Sequence, residues 1–136
     1  MSDISVTAAN VLKYTGATIE NGQAGEAITA GMLVYKHTDT KYYKAQHDGT
    51  AAQATLYGIA LNSAPGANQP LQVQTNGGVN PGGTVVVGTI YCASENAGGI
   101  APSTDVGQND YMSIFGVGLT SSKIDMQIYN SGVTIP

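Results

Sequence analysis

The sequence predicts an all-β domain with many tight turns and little helix. The chain has 136 residues, of which 18 are glycine, and only 10% are charged. Short β-branched and aromatic runs alternate with Gly-, Pro-, Asn- and Asp-rich turns, which is typical of β-sandwiches and small barrels. No segment keeps the apolar spacing of an amphipathic helix over three turns. We therefore predict one domain held by packing alone, since Cys92 is the single cysteine.

One stretch of the chain occurs twice, and the rest is organised around it. Residues 25–35 (GEAITAGMLVY) form a turn between glycines and then an apolar strand, and residues 84–92 (TVVVGTIYC) repeat that shape. The matching landmarks are Gly31 with Gly88, residues 44–45 with 100–101, 57–61 with 115–119, and 71–74 with 124–127. We predict two similar β-units, at about residues 25–77 and 82–132, that bury their apolar faces against each other.

The first unit contains a hairpin and two further strands. Residues 32–37 and 41–46 are the predicted hairpin strands, because the Thr-Asp-Thr turn between them bonds readily to its own backbone. Residues 57–61 form the next strand. Residues 69–75 alternate between apolar and polar side chains, which predicts a half-buried strand.

The second unit repeats this order after a glycine-rich linker. The second unit opens with residues 84–93, in which β-branched residues and Gly88 lead into a short apolar strand that ends near Tyr91, and residues 100–101 follow after a loop. Residues 111–119 form a strand interrupted by Gly116, where we expect a bulge or a bend. The last strand covers residues 123–129 and directs three apolar side chains to one face.

Residues 1–22 lie outside the two units, whereas residues 23–136 form the single β-domain. Four apolar residues mark the segment, namely Ile4, Val6, Val11 and Leu12. Such a segment either covers the protein's own core as an edge strand, or forms an arm that adds to a neighbouring chain. The sequence leaves both alternatives open.

The charge pattern excludes several classes of partner. The net charge is -4, and the cations are five lysines without an arginine. Proteins that bind nucleic acid or anionic membranes need clustered basic residues, so neither partner is expected. No signal peptide is recognisable at the start, and no apolar run approaches the ~20 residues of a spanning helix, so we expect folding in a cytoplasm. A surface with few charges suits permanent contact with other proteins, although a bland polar coat is an equally open interpretation.

No catalytic, cofactor or metal site is predicted, and we expect a protein that is not an enzyme. His37 and His47 match no metal-ligand spacing and are interpreted as exposed residues at strand ends. Cys92 lies in an apolar strand, where a thiol packs as a small hydrophobic group. Asp105 and Asp110 share a loop, where aspartates usually stabilise turns. Neither a G-x-S-x-G elbow nor a phosphate loop occurs.

The order of these pieces resembles a known family. Residues 25–35, followed by Tyr43-Lys-Ala45, Tyr57-Gly-Ile-Ala-Leu-Asn62 and Gly99-Ile-Ala-Pro102, resemble the capsid decoration (cement) proteins of tailed bacteriophages. The resemblance covers about residues 23–130, and it extends more distantly to the lambda-type head decoration proteins. It implies a β-clip or tulip-like small barrel, a homotrimer, and an N-terminal segment that contacts the capsid.

The resemblance also implies a function. The chain would be a structural protein of the virion that is made in the host cytoplasm, binds the major capsid protein on the outside of the head, and uses no cofactor. The candidate capsid contacts are Ile4, Val6, Val11 and Leu12. Deleting residues 1–15 is then expected to abolish capsid binding and leave the β-core folded. The alternative is a virion-displayed carbohydrate- or receptor-binding module that uses Tyr42, Tyr43 and the polar loops at 62–69 and 102–110.

Overall fold

The computed structural model of the chain describes residues 3–136 and is all-β. Ten antiparallel strands form a sheet that curls into a half-barrel. The helical pieces among the described residues are two single 3-10 turns, Ala8–Asn10 and Ser103–Asp105. No helix in this part of the chain is long and apolar enough to cross a membrane. The prediction of a small all-β barrel with little helix is confirmed.

The strands follow the chain from β1 to β10. They are β1 (Val11–Lys13), β2 (Thr18–Gln23), β3 (Leu33–Lys36), β4 (Tyr42–Lys44), β5 (Gly58–Ala60), β6 (Pro70–Pro81), β7 (Ile90–Ala93), β8 (Ile100–Pro102), β9 (Tyr111–Thr120) and β10 (Lys123–Thr134). The predicted hairpin is confirmed as the β3–β4 pair. The short apolar strand predicted after Gly88 is β7, which begins at Ile90, and residues 87–88 before it form a turn.

The two halves of the sheet have the same strand order. The sheet order is β4-β3-β5-β6-β10-β9-β7-β8, so β4-β3-β5-β6 corresponds to β8-β7-β9-β10. The register corresponds as well, because Val34 pairs with Gly58 in the first half and Tyr91 pairs with Gly116 in the second. The matched glycines therefore lie opposite equivalent partners, whereas Ile59 pairs with Gln74 and Val117 with Asp125, which shifts the match of residues 71–74 by two residues.

The turn before β3 and the turn before β7 have the same backbone. Gly31 has a φ of 90° and Gly88 a φ of 82°, in the left-handed region that favours glycine. The N–H of Gly31 donates to the Ala60 carbonyl at 2.8 Å, and the N–H of Gly88 donates to the Gly118 carbonyl at 2.8 Å. Gly31 and Gly88, which the sequence comparison matched, therefore form the same turn in the two units.

The equivalence begins one strand earlier than the sequence comparison placed it. Residues 20–22 of β2 pair with residues 71–73 of β6, and residues 77–79 of β6 pair with residues 124–126 of β10. The long strand β6 is therefore the last strand of the first unit and the first strand of the second.

Both units contribute to one main core. Its largest fully buried side chains include Leu33 and Ile59 from the first unit and Phe115 and Ile124 from the second. A second cluster lies within the first unit, around Tyr42. Burial of these side chains away from water is the main force that holds the two units together.

The N-terminal segment lies against the chain's own β-domain. Ile4 donates its N–H to the Ile100 carbonyl at 2.9 Å, and Thr7 donates to the Gly82 carbonyl at 2.9 Å. Beyond them β1 pairs with the end of β6. A Cβ atom on Gly83 would lie 2.4 Å from the carbonyl oxygen of Ser5, so the missing side chain makes room for this segment.

Candidate functional site

One cleft of about 210 Å³ is lined by four titratable residues, namely Asp3, His47, Glu95 and Asp105. No three His, Cys, Asp or Glu side chains of the described residues could hold a metal ion together. His37 is exposed as predicted, but His47 is buried. The backbone N–H of His47 donates to the Ser94 carbonyl, and the His47 carbonyl accepts from the backbone N–H of Tyr111. Its Nδ1 lies 3.5 Å from an Asp110 carboxylate oxygen. The backbone of His47 thus links two neighbouring segments, while its buried Nδ1 makes no hydrogen bond among the described residues.

The single thiol is also buried. Cys92 is fully enclosed, and its thiol donates to the Met112 sulfur at 3.7 Å. Burial raises the pKa of the Cys92 thiol to about 11. A nucleophilic cysteine must be a thiolate, so this thiol is inert near neutral pH.

Contacts within the chain cover the tyrosine rings of the first hairpin. Tyr42 is fully buried. The ring of Tyr43 stacks on Tyr35 with centroids 5.7 Å apart. It also lies against Gly25, where a Cβ atom would be 2.2 Å from the ring. The ring surface that a sugar would stack on is taken up by contacts within the chain.

A carboxylate cluster joins β2 to its neighbours. Glu20 Oε1 accepts hydrogen bonds from Lys36 Nζ and from the Tyr42 hydroxyl, both at 2.5 Å, and Oε2 accepts one from the Tyr57 hydroxyl. These hydrogen bonds, with that of Lys36 the strongest cause, lower the pKa of Glu20 to about 2. Each polar group of the cluster is satisfied by another member, which indicates a structural role.

Lowering the pH is expected to destabilise the protein through Glu20. Its folded pKa of about 2 lies below the value of 4.5 for a free glutamate, so this stability is complete above pH 4.5 and disappears as the pH falls towards 2. The side chains of Glu20 and Lys36 are 34% and 32% exposed, and solvent screening reduces the effect to about 1–2 kcal/mol. Urea unfolding at about pH 7 and about pH 3 measures the loss.

The matched comparison is Glu20→Gln against Glu95→Gln, which changes an exposed carboxylate. We expect Glu20→Gln to lose much of the acid sensitivity of the wild-type chain and Glu95→Gln to keep it. Equal acid sensitivity in all three proteins would contradict the assigned role of Glu20.

Exposed apolar side chains gather on the second unit. Four of them form what we call the apolar strip, with exposed fractions of 49% for Val86, 65% for Val87, 42% for Ile90 and 48% for Leu119. The two chain segments are adjacent, because the Gly118 N–H donates to the Thr89 carbonyl at 2.9 Å. Monomeric proteins rarely expose large contiguous apolar patches unless something covers them.

An open groove adjoins the strip. The Leu12 groove encloses about 530 Å³, and its lining includes Leu12, Thr84, Ser121 and Ser122. Thr84 and Ser121 continue the two segments of the apolar strip, since Val85 donates its N–H to the Ser121 carbonyl. No described residue that lines the groove is charged. Contact with another protein here would bury no charge, which keeps the desolvation cost low.

The structure separates the four candidate contacts of the N-terminal segment. Val11 is buried, and Ile4 and Val6 are half-buried beside a smaller cleft of about 200 Å³. Only Leu12 among the four is exposed, at 61%, and it lines the Leu12 groove.

The sequence interpretation did not identify the apolar strip, because the β-branched pattern of residues 84–92 does not say what covers their side chains. The strip is thus defined by the geometry of the fold. Comparison with known proteins does not identify a relative of the chain. The chain matches no protein-family model, no curated protein and no solved structure.

Proposed function

We propose that the chain is a structural capsid decoration protein that binds the outer surface of a phage head and stabilises it. The observation that carries the proposal is the uncharged Leu12 groove beside the exposed Leu12 side chain. The partner would be the major capsid protein, the location the exterior of the virion, and the working form a small homo-oligomer such as a trimer. The low charge content and the order of sequence motifs support the same proposal.

The mechanism needs binding alone. A protein that binds only the intact shell stabilises that shell by the free energy of its own binding. An oligomer that bridges several capsid subunits multiplies this effect, because all of its contacts must break before the shell can rupture. No bond is made or broken, and the chain needs no cofactor for this work.

The residues of the N-terminal segment have two different roles. Ile4, Val6 and Val11 hold the segment against the β-domain, where Val6 and Val11 pack over Gly31. Leu12 is left for a partner, beside a groove whose uncharged hydroxyl and amide groups can bind polar groups of the capsid. We therefore assign the capsid contact to Leu12 and its groove.

Replacing Leu12 with glutamate is expected to weaken binding to phage heads by ~30-fold or more, the scale of an interface hot spot. The new charge would have to be desolvated inside the contact. Co-sedimentation of the purified protein with phage heads measures the affinity. The variant should remain folded, because the Leu12 side chain is 61% exposed.

The control is Val133→Glu, which adds the same charge at a valine that is 63% exposed on β10. Its affinity for heads should equal that of the wild-type chain. A wild-type chain that does not sediment with heads would refute the proposed function. Equal affinities of all three proteins would place the capsid contact outside the Leu12 groove.

A further inference from the structure

We propose that the apolar strip is the docking site for a second copy of this chain. The inference deepens the oligomer part of the proposed function, and it requires no capsid. Its basis is the equivalence of the two units. The residues of the strip correspond to apolar residues of the first unit, Val87 to Ala30, Ile90 to Leu33 and Leu119 to Leu61.

The corresponding residues differ in what covers them. Ala30 is 4% exposed and Leu33 is fully buried, whereas Val87 is 65% exposed and Ile90 is 42% exposed. The same pattern of apolar side chains is therefore a covered surface in the first unit and a bare one in the second.

The cover of the first unit comes from other parts of the chain. A Cβ atom on Gly31 would lie 2.5 Å from Val6 and 3.1 Å from Val11, and the N–H of Leu33 donates to the Gly98 carbonyl at 2.9 Å. A Cβ atom on Gly88, at the same turn of the second unit, would meet nothing within 4 Å. This fold thus covers such a turn with its own polypeptide once, and it leaves the equivalent turn open.

The charge distribution favours a second copy as the occupant. Each copy has a net charge of -4, so two copies repel each other unless they meet across an uncharged surface. No charged residue or histidine lies between Asp48 and Glu95, and none lies between Asp110 and Lys123. The apolar strip belongs to these two stretches. A second copy can face the strip with part of the same two uncharged stretches, and the contact then buries no charge on either side.

The area that a stable contact needs is a small part of the exposed surface. A standard interface takes about 800 Å² from each partner. The chain exposes 6396 Å², so about one eighth of its surface is required. The apolar strip provides the hydrophobic centre of this contact, and the Leu12 groove beside it is left for the capsid.

The test compares two valines of equal exposure. Val87 lies in the strip and is 65% exposed, and Val133 lies on β10 and is 63% exposed. We expect sedimentation equilibrium of the wild-type chain to give a multiple of the single-chain mass. Val87→Glu should raise the dissociation constant by at least ~30-fold, and Val133→Glu should leave it unchanged. Circular dichroism and the melting temperature report whether each variant is folded.

A second variant, Leu119→Ser, approaches the strip from the other chain segment and should also weaken association. A wild-type chain that stays at the single-chain mass up to millimolar concentration overturns the proposal. So does equal weakening by Val87→Glu and Val133→Glu. Head binding is measured separately, so a failure of the capsid proposal leaves the mass measurement decisive for this one.

Discussion

Replacing Gly58 or Gly116 with alanine is expected to lower the free energy of unfolding by roughly 2–3 kcal/mol at each position. A Cβ atom on Gly58 would lie 2.2 Å from the Gln74 carbonyl oxygen, and one on Gly116 would lie 2.3 Å from the Asp125 carbonyl oxygen. Neither glycine has a left-handed φ, so the cost comes from the close approach of two backbones. Urea unfolding monitored by circular dichroism measures both values.

Gly66 provides the matched control for these two substitutions. A Cβ atom there would meet nothing within 4 Å, and the φ of Gly66 is not left-handed. Gly66→Ala should therefore change the free energy of unfolding by no more than ~0.5 kcal/mol. Because Gly58 and Gly116 are equivalent residues of the two units, their costs should be similar. A cost at either position as small as that of Gly66→Ala would contradict the close approach.

The same glycines explain why the order of strands could be predicted from the sequence. Gly31 and Gly88 are required by the same left-handed turn, and Gly58 and Gly116 by the same strand contact. A position that cannot accommodate a side chain must be glycine, and it therefore falls at the same place in both units. The landmarks could therefore be matched although the residues around them differ.

The first strands of the two units share no sequence pattern by which they could be matched. Residues 18–23 of β2 (TIENGQ) and residues 77–81 of β6 (GGVNP) contain few apolar side chains. Their place in the sheet is fixed by backbone hydrogen bonds, which almost any residue can make. Side-chain patterns cannot reveal an equivalence that the backbone alone maintains, so the repeat was predicted to start too late.

The apolar strip could not be predicted because its exposure depends on tertiary packing. Val86 and Val87 favour a strand by their β-branched side chains, but such a preference describes a pleated surface and does not say what covers it. The N-terminal segment covers Gly31 and leaves Gly88 open. The burial of His47 is a similar case, because its neighbour Asp110 is distant in the sequence and was predicted to be a simple turn residue.

Deleting residues 1–15 is expected to lower the free energy of unfolding by roughly 3–6 kcal/mol, which is the burial free energy of two to three aliphatic side chains. Val11 is 8% exposed, Ile4 packs against the main core, and β1 pairs with β6. This loss approaches the whole stability of many small domains. The sequence alone led to the opposite expectation, that the β-core would remain folded. Thermal melting and hydrogen exchange at β6 measure the effect.

The comparison of this deletion with Leu12→Ser decides between the two interpretations of the N-terminal segment. Leu12→Ser changes only an exposed side chain, so its melting temperature should stay close to that of the wild-type chain. An edge strand that belongs to the core predicts a large loss of stability on deletion and almost none for Leu12→Ser. A deleted chain that melts like the wild-type chain would instead identify the segment as an arm. Loss of head binding by the deleted chain alone decides nothing, because an unfolded protein also fails to bind.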